Sequence, residues 1–219
     1  MLRPAQPVTV VSRSPEKAEK WRAKGAESAI VDVGDEDALR KVFQQGTCAF
    51  LLNPPAAPST DTDKEELRTK SSIVRALDGS GLKKIVASST YGAQPGEHRG
   101  ELGTLYAYEQ ALAAQLIPAT VLRAAYYMSN WDQALDTARE GTLQTFFPSN
   151  VRIPMVAPED VGDAAARLLM AEAGTPQLRY IEGPLPYRSS DVADALAAAL
   201  HRPVALSVVP REQWRSAWR

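Results

Sequence analysis

Short apolar runs rich in β-branched residues alternate with segments of helical periodicity along nearly the whole chain, and this alternation constrains the fold more than any single motif. Strand patterns lie near residues 8–12, 28–33, 47–53, 83–89, 118–123 and 177–182, and helical patterns near 14–25, 35–45, 61–79, 104–116, 158–173 and 189–200. Successive strands separated by a helix pair in parallel with the helix crossing the sheet, so the repeat predicts an α/β protein built on a parallel sheet with helices on both faces. Local signals agree with that class. In segment 35–45, Asp35, Glu36 and Asp37 open the helix and Arg40 and Lys41 follow, matching the macrodipole, while Leu39, Val42 and Phe43 form an apolar stripe. Pro158 and Glu159 open a helix carrying Val161, Ala165, Leu168 and Leu169, and Ser189 or Ser190 is expected to cap the one carrying Val192, Leu196 and Leu200.

With 219 residues and 44% hydrophobic content, the chain is long enough for one sizeable α/β domain, or for one domain with a small appended lobe. A formal net charge of -1, with Lys and Arg spread along the helices, points to neither a nucleic-acid nor a membrane partner. Cys48 is the only cysteine, so no internal disulfide forms, and a reducing cytoplasm is the expected setting. Inside a strand, Cys48 reads as a small core residue. No Cys/His cluster has metal-ligand spacing; His98, in a Gly-rich charged loop, and His201 read as surface residues. No apolar stretch of about 18 residues occurs, which argues against a signal peptide or a transmembrane helix and for a soluble protein.

The run VTVVSRSPEKAEKW, Val8 to Trp21, is an apolar strand ending in Arg13 followed by a helix opened by Ser14 and Pro15, the pattern of a second strand–helix unit in a nucleotide-binding fold. It is followed by GAESAIVDVGDEDALRKVF, AFLLNPP, KKIVASST and PATVLRAAYYMSNW. In that order these segments resemble the NmrA-like branch of the atypical short-chain dehydrogenase/reductase group, including its NAD(P)H:quinone reductase-like members, over nearly the whole chain. The resemblance implies a Rossmann-like parallel sheet. It implies an NAD(P)-binding region over residues 1–123 and a mixed region over 124–219 that completes the sheet and forms a small C-terminal substrate lobe.

Under that resemblance Arg13 meets the adenosine 2′ position, where a guanidinium favours a 2′-phosphate, so NADP is expected over NAD. Lys17 adds a second positive group or lies on a solvated helix face. Asp32 and Val33 fall where the family places the adenine, or form an ordinary strand-to-helix turn. Leu52, Asn53 and Pro54 end a strand over the expected ribose and nicotinamide, at the head of the Pro-rich loop Asn53 to Asp63 on the ligand side of the sheet. Ser88 and Ser89 end a buried strand where this group bonds the cofactor or a reacting carbonyl, with strand-end capping as the plain alternative, and Tyr91 faces the substrate. Tyr126, Tyr127 and Asn130 form an aromatic wall with one amide, suited to a flat ring substrate, whereas Met128 reads as core.

Classical relatives place a Lys four residues after the catalytic Tyr, lowering the phenol's pKa. Here Gln110 follows Tyr106 at that spacing, so Tyr106 is a weak catalytic candidate, and Tyr108 with Leu112 is no better. Alcohol dehydrogenation is therefore disfavoured. Direct hydride transfer to a quinone or similar small planar acceptor, which needs positioning more than a dedicated acid, is favoured. A dinucleotide fold also needs a glycine-rich turn after its first strand, and no such turn is present; Leu2 to Pro7 reads as the last turn of the helix that follows it. The sequence thus predicts an NAD(P)H-dependent oxidoreductase. The alternatives are a non-catalytic NADP-binding sensor, and a truncated form that binds no dinucleotide.

Overall fold

A computed structural model describes residues 6–96, 99–172, 174 and 177–217. In chain order its regular elements are β1 (Thr9–Ser12), α1 (Pro15–Arg22), β2 (Glu27–Ile30), α2 (Glu36–Phe43), β3 (Cys48–Leu51), α3 (Thr62–Leu77), β4 (Lys84–Thr90), α4 (Glu101–Ala113), β5 (Ala119–Ala124), β6 (Tyr126–Tyr127), α5 (Leu135–Arg139), β7 (Thr142–Thr145), β8 (Ile153–Val156), α6 (Pro158–Met170), β9 (Gln177–Ile181), β10 (Pro186–Tyr187), α7 (Ser189–Leu200), β11 (Ala205–Val208) and α8 (Trp214–Ala217). The chain divides into two compact units, one of residues 1–123 with 162–180 and one of residues 124–161 with 181–219.

The first unit is the α/β body. α1, α2 and α3 start where the sequence provides caps: Ser14, Asp35 and Asp61 accept from the backbone N–H groups of Lys17, Ala38 and Lys64. β1 and β2 run parallel, from Thr9↔Glu27 to Ser12↔Ile30. A separate four-stranded sheet has the order β3-β4-β5-β9, with β3 and β4 parallel from Cys48↔Lys84 to Leu51↔Ala87. Among the described residues no strand joins β1 to β3. β4 is buried along nearly its whole length, and its Ile85 and Ala87 share a core cluster with Ile73 and Leu77 of α3 and Leu112 of α4. Cys48 departs from expectation: it is exposed, because it opens β3 at the outer edge of the four-stranded sheet, where no neighbouring strand covers it.

A buried polar cluster joins α3 to α4. Lys70 Nζ donates to Thr104 Oγ1 (2.6 Å) and Glu66 Oε2 (3.3 Å), and the threonine hydroxyl donates to Glu66 Oε2 (3.0 Å). Burial lowers the Lys70 pKa below the ordinary lysine value despite the opposing pull of Glu66. Between the lowered folded value and the unfolded value near about 10.4, the unfolded chain holds a proton that the folded chain has released, so stability rises with pH across that interval. Lys70→Gln, which cannot titrate there, is expected to flatten the alkaline rise seen in urea unfolding; identical pH slopes for the two proteins would contradict it.

The second unit holds a three-stranded sheet of order β10-β8-β6 and the parallel pair β7–β11. β6 runs parallel to β8 and β10 antiparallel to it. Its core is Trp131, Leu143, Met155 and Ala193, with Met128 packed against them. The capping expectation for α7 shifts by one residue: Ser189 is already helical and fully buried, and the Asp191 carboxylate accepts the backbone N–H of Arg188 (2.8 Å) at the cap. His201 ends α7 in the left-handed conformation (φ 53) and is exposed. His98, and most of the expected helix end at Leu2–Pro7, lie outside the described residues. Among those described, no helix is long and apolar enough to cross a membrane, and no group of three or more His, Cys, Asp or Glu is placed to hold a metal.

Candidate active site

In parallel sheets the carboxyl ends of the strands form the ligand edge, and most of the sequence-predicted residues of the first unit stand there. Arg13 follows β1 and is exposed, and Lys17 is exposed on α1. Asp32 follows β2, but its carboxylate accepts the backbone N–H of Gly34 (2.7 Å) and so holds the turn into α2. A Cβ on Gly34 would lie 2.9 Å from the Arg68 guanidinium and 3.1 Å from the Asp32 carboxylate, so a larger residue there would displace those side chains. Val33 packs against the core. After β3, Leu52 is exposed, while Asn53 is half-buried. The Asn53 amide nitrogen donates to the carbonyl of Pro54 (3.3 Å), and its Oδ1 is buried without a partner among the described residues.

Ser88 and Ser89 lie near the end of β4, both buried, and the pleat sends their side chains to opposite faces. Only one can face a given ligand. Ser89 is directed to α4, where its hydroxyl donates to Glu109 Oε1 (2.5 Å). Glu109 is the centre of a network that sequence reasoning missed. Arg123 of β5 grips both of its oxygens, Nε to Oε1 at 2.9 Å and Nη2 to Oε2 at 2.7 Å. The remaining Arg123 nitrogen, Nη1, donates to the phenol oxygen of Tyr180 on β9 (3.1 Å), and the guanidinium carbon lies 5.7 Å from that ring's centroid. The Arg123 pKa is held above the ordinary arginine value, first by its hydrogen bonds to Glu109. Tyr91, just past β4, packs edge-on against Tyr180 with centroids 5.2 Å apart and planes at 83°. A signal was present in the sequence: Arg123 interrupts an apolar strand and Glu109 is the only acid from Leu102 to Leu116, and buried opposite charges on adjacent elements need one another.

α4 carries two tyrosines, Tyr106 and Tyr108. Tyr106 is half-buried against the core and Gln110 is exposed. Tyr108 is 2% exposed, its phenol is pushed far up by burial, and its oxygen has no partner among the described residues. An orphaned buried hydroxyl costs stability that a matching apolar ring avoids. Tyr108→Phe is expected to raise the unfolding free energy by about 1 kcal/mol in a denaturant titration, and a loss of similar size would show an unseen partner.

In the second unit, Tyr126 stands in an aromatic cluster, with centroids 5.3 Å from Phe147 and 5.9 Å from Trp131. Burial raises its phenol's pKa, opposed by a hydrogen bond with Asn130. Tyr127 pairs with Val156 across β6 and β8. Tyr126, Tyr127 and Asn130 thus share one unit, whereas the residues after β1, β3 and β4 share the other.

The sequence profile of the NmrA-like family matches residues 2–216. The chain belongs to the NmrA-like family. An NAD(P)H azoreductase from Xenophilus azovorans is 22% identical over 213 residues, covering 96% of this chain and 71% of that protein. Among solved structures, an NADPH-dependent quinone oxidoreductase from Escherichia coli in complex with NADPH superposes with a TM-score of 0.80 at 22% identity, covering 98% of this chain and 73% of that one. A triphenylmethane reductase from Citrobacter sp. in complex with NADP(H) also gives 0.80, at 19% identity, covering 96% and 74%. These likenesses establish the Rossmann-type fold; the solved neighbours include an NADPH-dependent quinone oxidoreductase and a triphenylmethane reductase, and the chain's own family is the NmrA-like one.

A dinucleotide is implied by that family, and two features of the first unit fit one: the exposed guanidinium of Arg13 past β1, and the unpartnered buried acceptor Asn53 Oδ1 past β3, which suits a ribose hydroxyl. No glycine-rich turn opening a helix stands beside them among the described residues, so no ligands are assigned to the pyrophosphate.

Proposed function

We propose that this chain is an NADPH-dependent reductase that passes hydride to a quinone or similar small planar acceptor. The observation that carries the proposal is the ligand edge of the first unit, where Arg13 offers a cation and Asn53 an orphaned buried acceptor in a chain of the NmrA-like family. A bound reduced nicotinamide supplies the hydride. Arg13 takes the 2′-phosphate by charge-assisted hydrogen bonds and sets the choice of NADPH over NADH; Lys17 adds charge nearby. Asn53, with Leu52 and Pro54, borders the ribose and nicotinamide; Ser88 lies at the same edge, and Ser89 acts indirectly, by fixing Glu109. Asp32 and Val33 shape the adenine end. Tyr91 borders the acceptor. Residues 1–123 are proposed as the dinucleotide-binding region and residues 124–219 as a substrate lobe, within which Tyr126, Tyr127 and Asn130 form an aromatic wall with one amide. The partner is a small molecule, and the setting is the cytoplasm.

Gln110 in the place of the usual Lys supports a second reading, a non-catalytic NADP sensor. Loss of NADPH absorbance with a panel of benzoquinones and naphthoquinones separates the two. Turnover supports the reductase. Saturable NADPH binding without turnover of any quinone contradicts it and supports the sensor.

A further inference from the structure

We propose that Tyr180 donates the hydrogen bond, and then the proton, to the carbonyl oxygen of the acceptor. This deepens the reductase reading and rests on it. Tyr91 leaves the carboxyl end of β4, and its edge-on contact brings the Tyr180 ring to the same edge. Tyr180 is 56% exposed, so an incoming molecule can reach the residue. Arginine has donors and no acceptor, so in the 3.1 Å contact with Arg123 the phenol oxygen accepts and its own O–H must point elsewhere. Arg123 cannot swing away, because Glu109 grips it through two hydrogen bonds and the ion pair is nearly buried.

That geometry supplies what the Tyr106–Gln110 pair lacks. A phenol that loses its proton keeps a permanent cation within hydrogen-bond reach, and arginine holds its charge at every accessible pH. When a quinone takes up hydride, one oxygen becomes anionic and needs a proton. The Tyr180 O–H bond breaks, the hydroquinone O–H bond forms, and water returns a proton to the phenolate. Tyr180 is then the catalytic residue; Arg123 and Glu109 position it. The requirement depends on the acceptor. A cationic triphenylmethane dye takes hydride at its central carbon and needs no proton, so the same chain should reduce it without the Tyr180 hydroxyl.

Tyr180→Phe keeps the ring and its contact with Tyr91 and removes only the O–H group. The test titrates a naphthoquinone and a cationic triphenylmethane dye into the unaltered and substituted chains by calorimetry, then measures NADPH oxidation with each acceptor, using preparations with matching thermal unfolding. The hydroxyl's loss should weaken quinone binding about tenfold and lower kcat/KM for the quinone about 100-fold, while both quantities for the dye stay within about twofold. Unchanged quinone values, or equal losses for both acceptors, overturn the role of Tyr180 and leave the reductase reading standing. No NADPH oxidation by the unaltered chain with either acceptor overturns the reductase reading and the role of Tyr180 with it.

Discussion

Glu109→Ala is expected to destabilise the protein by about 3–5 kcal/mol, the largest loss we anticipate from a single exchange at the ligand edge. The side chains of Glu109 and Arg123 are 7% and 12% exposed. Removing the carboxylate leaves a guanidinium in a poorly hydrated position, held only by its contact with Tyr180, and takes away the acceptor of the Ser89 hydroxyl. The cost is the orphaned charge rather than the value of the pair, because burying two charges offsets most of their attraction. Glu109→Ala combined with Arg123→Met should therefore be more stable than Glu109→Ala alone, since the second exchange removes the stranded cation and leaves an apolar chain between β5 and α4. Urea unfolding of the unaltered, single and double forms measures this directly. A double variant less stable than the single by the full additive amount would mean that the two residues are not coupled.

The second large effect concerns the cofactor. Arg13 stands at the end of β1 and is exposed, so its exchange to alanine should cost the fold little. If the guanidinium holds the 2′-phosphate, Arg13→Ala weakens NADPH binding about 10- to 100-fold and leaves NADH nearly unchanged, the range expected for charge-assisted hydrogen bonds to one group. Calorimetric titration of both cofactors against both forms checks it. Equal losses for NADPH and NADH would remove Arg13 from the 2′ site.

The α/β architecture was legible because its signals are local and repeated. The apolar run of β4, the caps at Ser14, Asp35 and Asp61, and the dipole-matched charges of α2 each specify their element from a few neighbouring residues. The short strands of the second unit were not legible. β6 and β10 are two residues long, and β7 pairs with β11 across about 60 positions, so neither length nor alternation marks them beforehand. Cys48 was misplaced for a related reason: an apolar strand pattern does not distinguish a central strand from an edge.

The candidate ligand edge was legible only as a set of strand ends. Arg13, Asn53, Ser88, Ser89 and Tyr91 follow from where strands β1, β3 and β4 stop. What each side chain does depends on partners far away in sequence. Ser89 is occupied by a carboxylate 20 residues on, and Tyr180 meets a guanidinium 57 residues before it. Arg123 and Glu109 were both visible as charges in apolar surroundings, and pairing them would have exposed the network. Tyr180 carried no such mark, because a tyrosine in a short strand is ordinary.

Hydride transfer from NADPH to a planar acceptor is tested by single-turnover oxidation of NADPH by the chain with a naphthoquinone, followed by loss of NADPH absorbance and identification of the product. A reductase forms one hydroquinone for each NADPH consumed and consumes NADH far more slowly at equal concentration. Saturable NADPH binding with no hydroquinone formed from any quinone would contradict it.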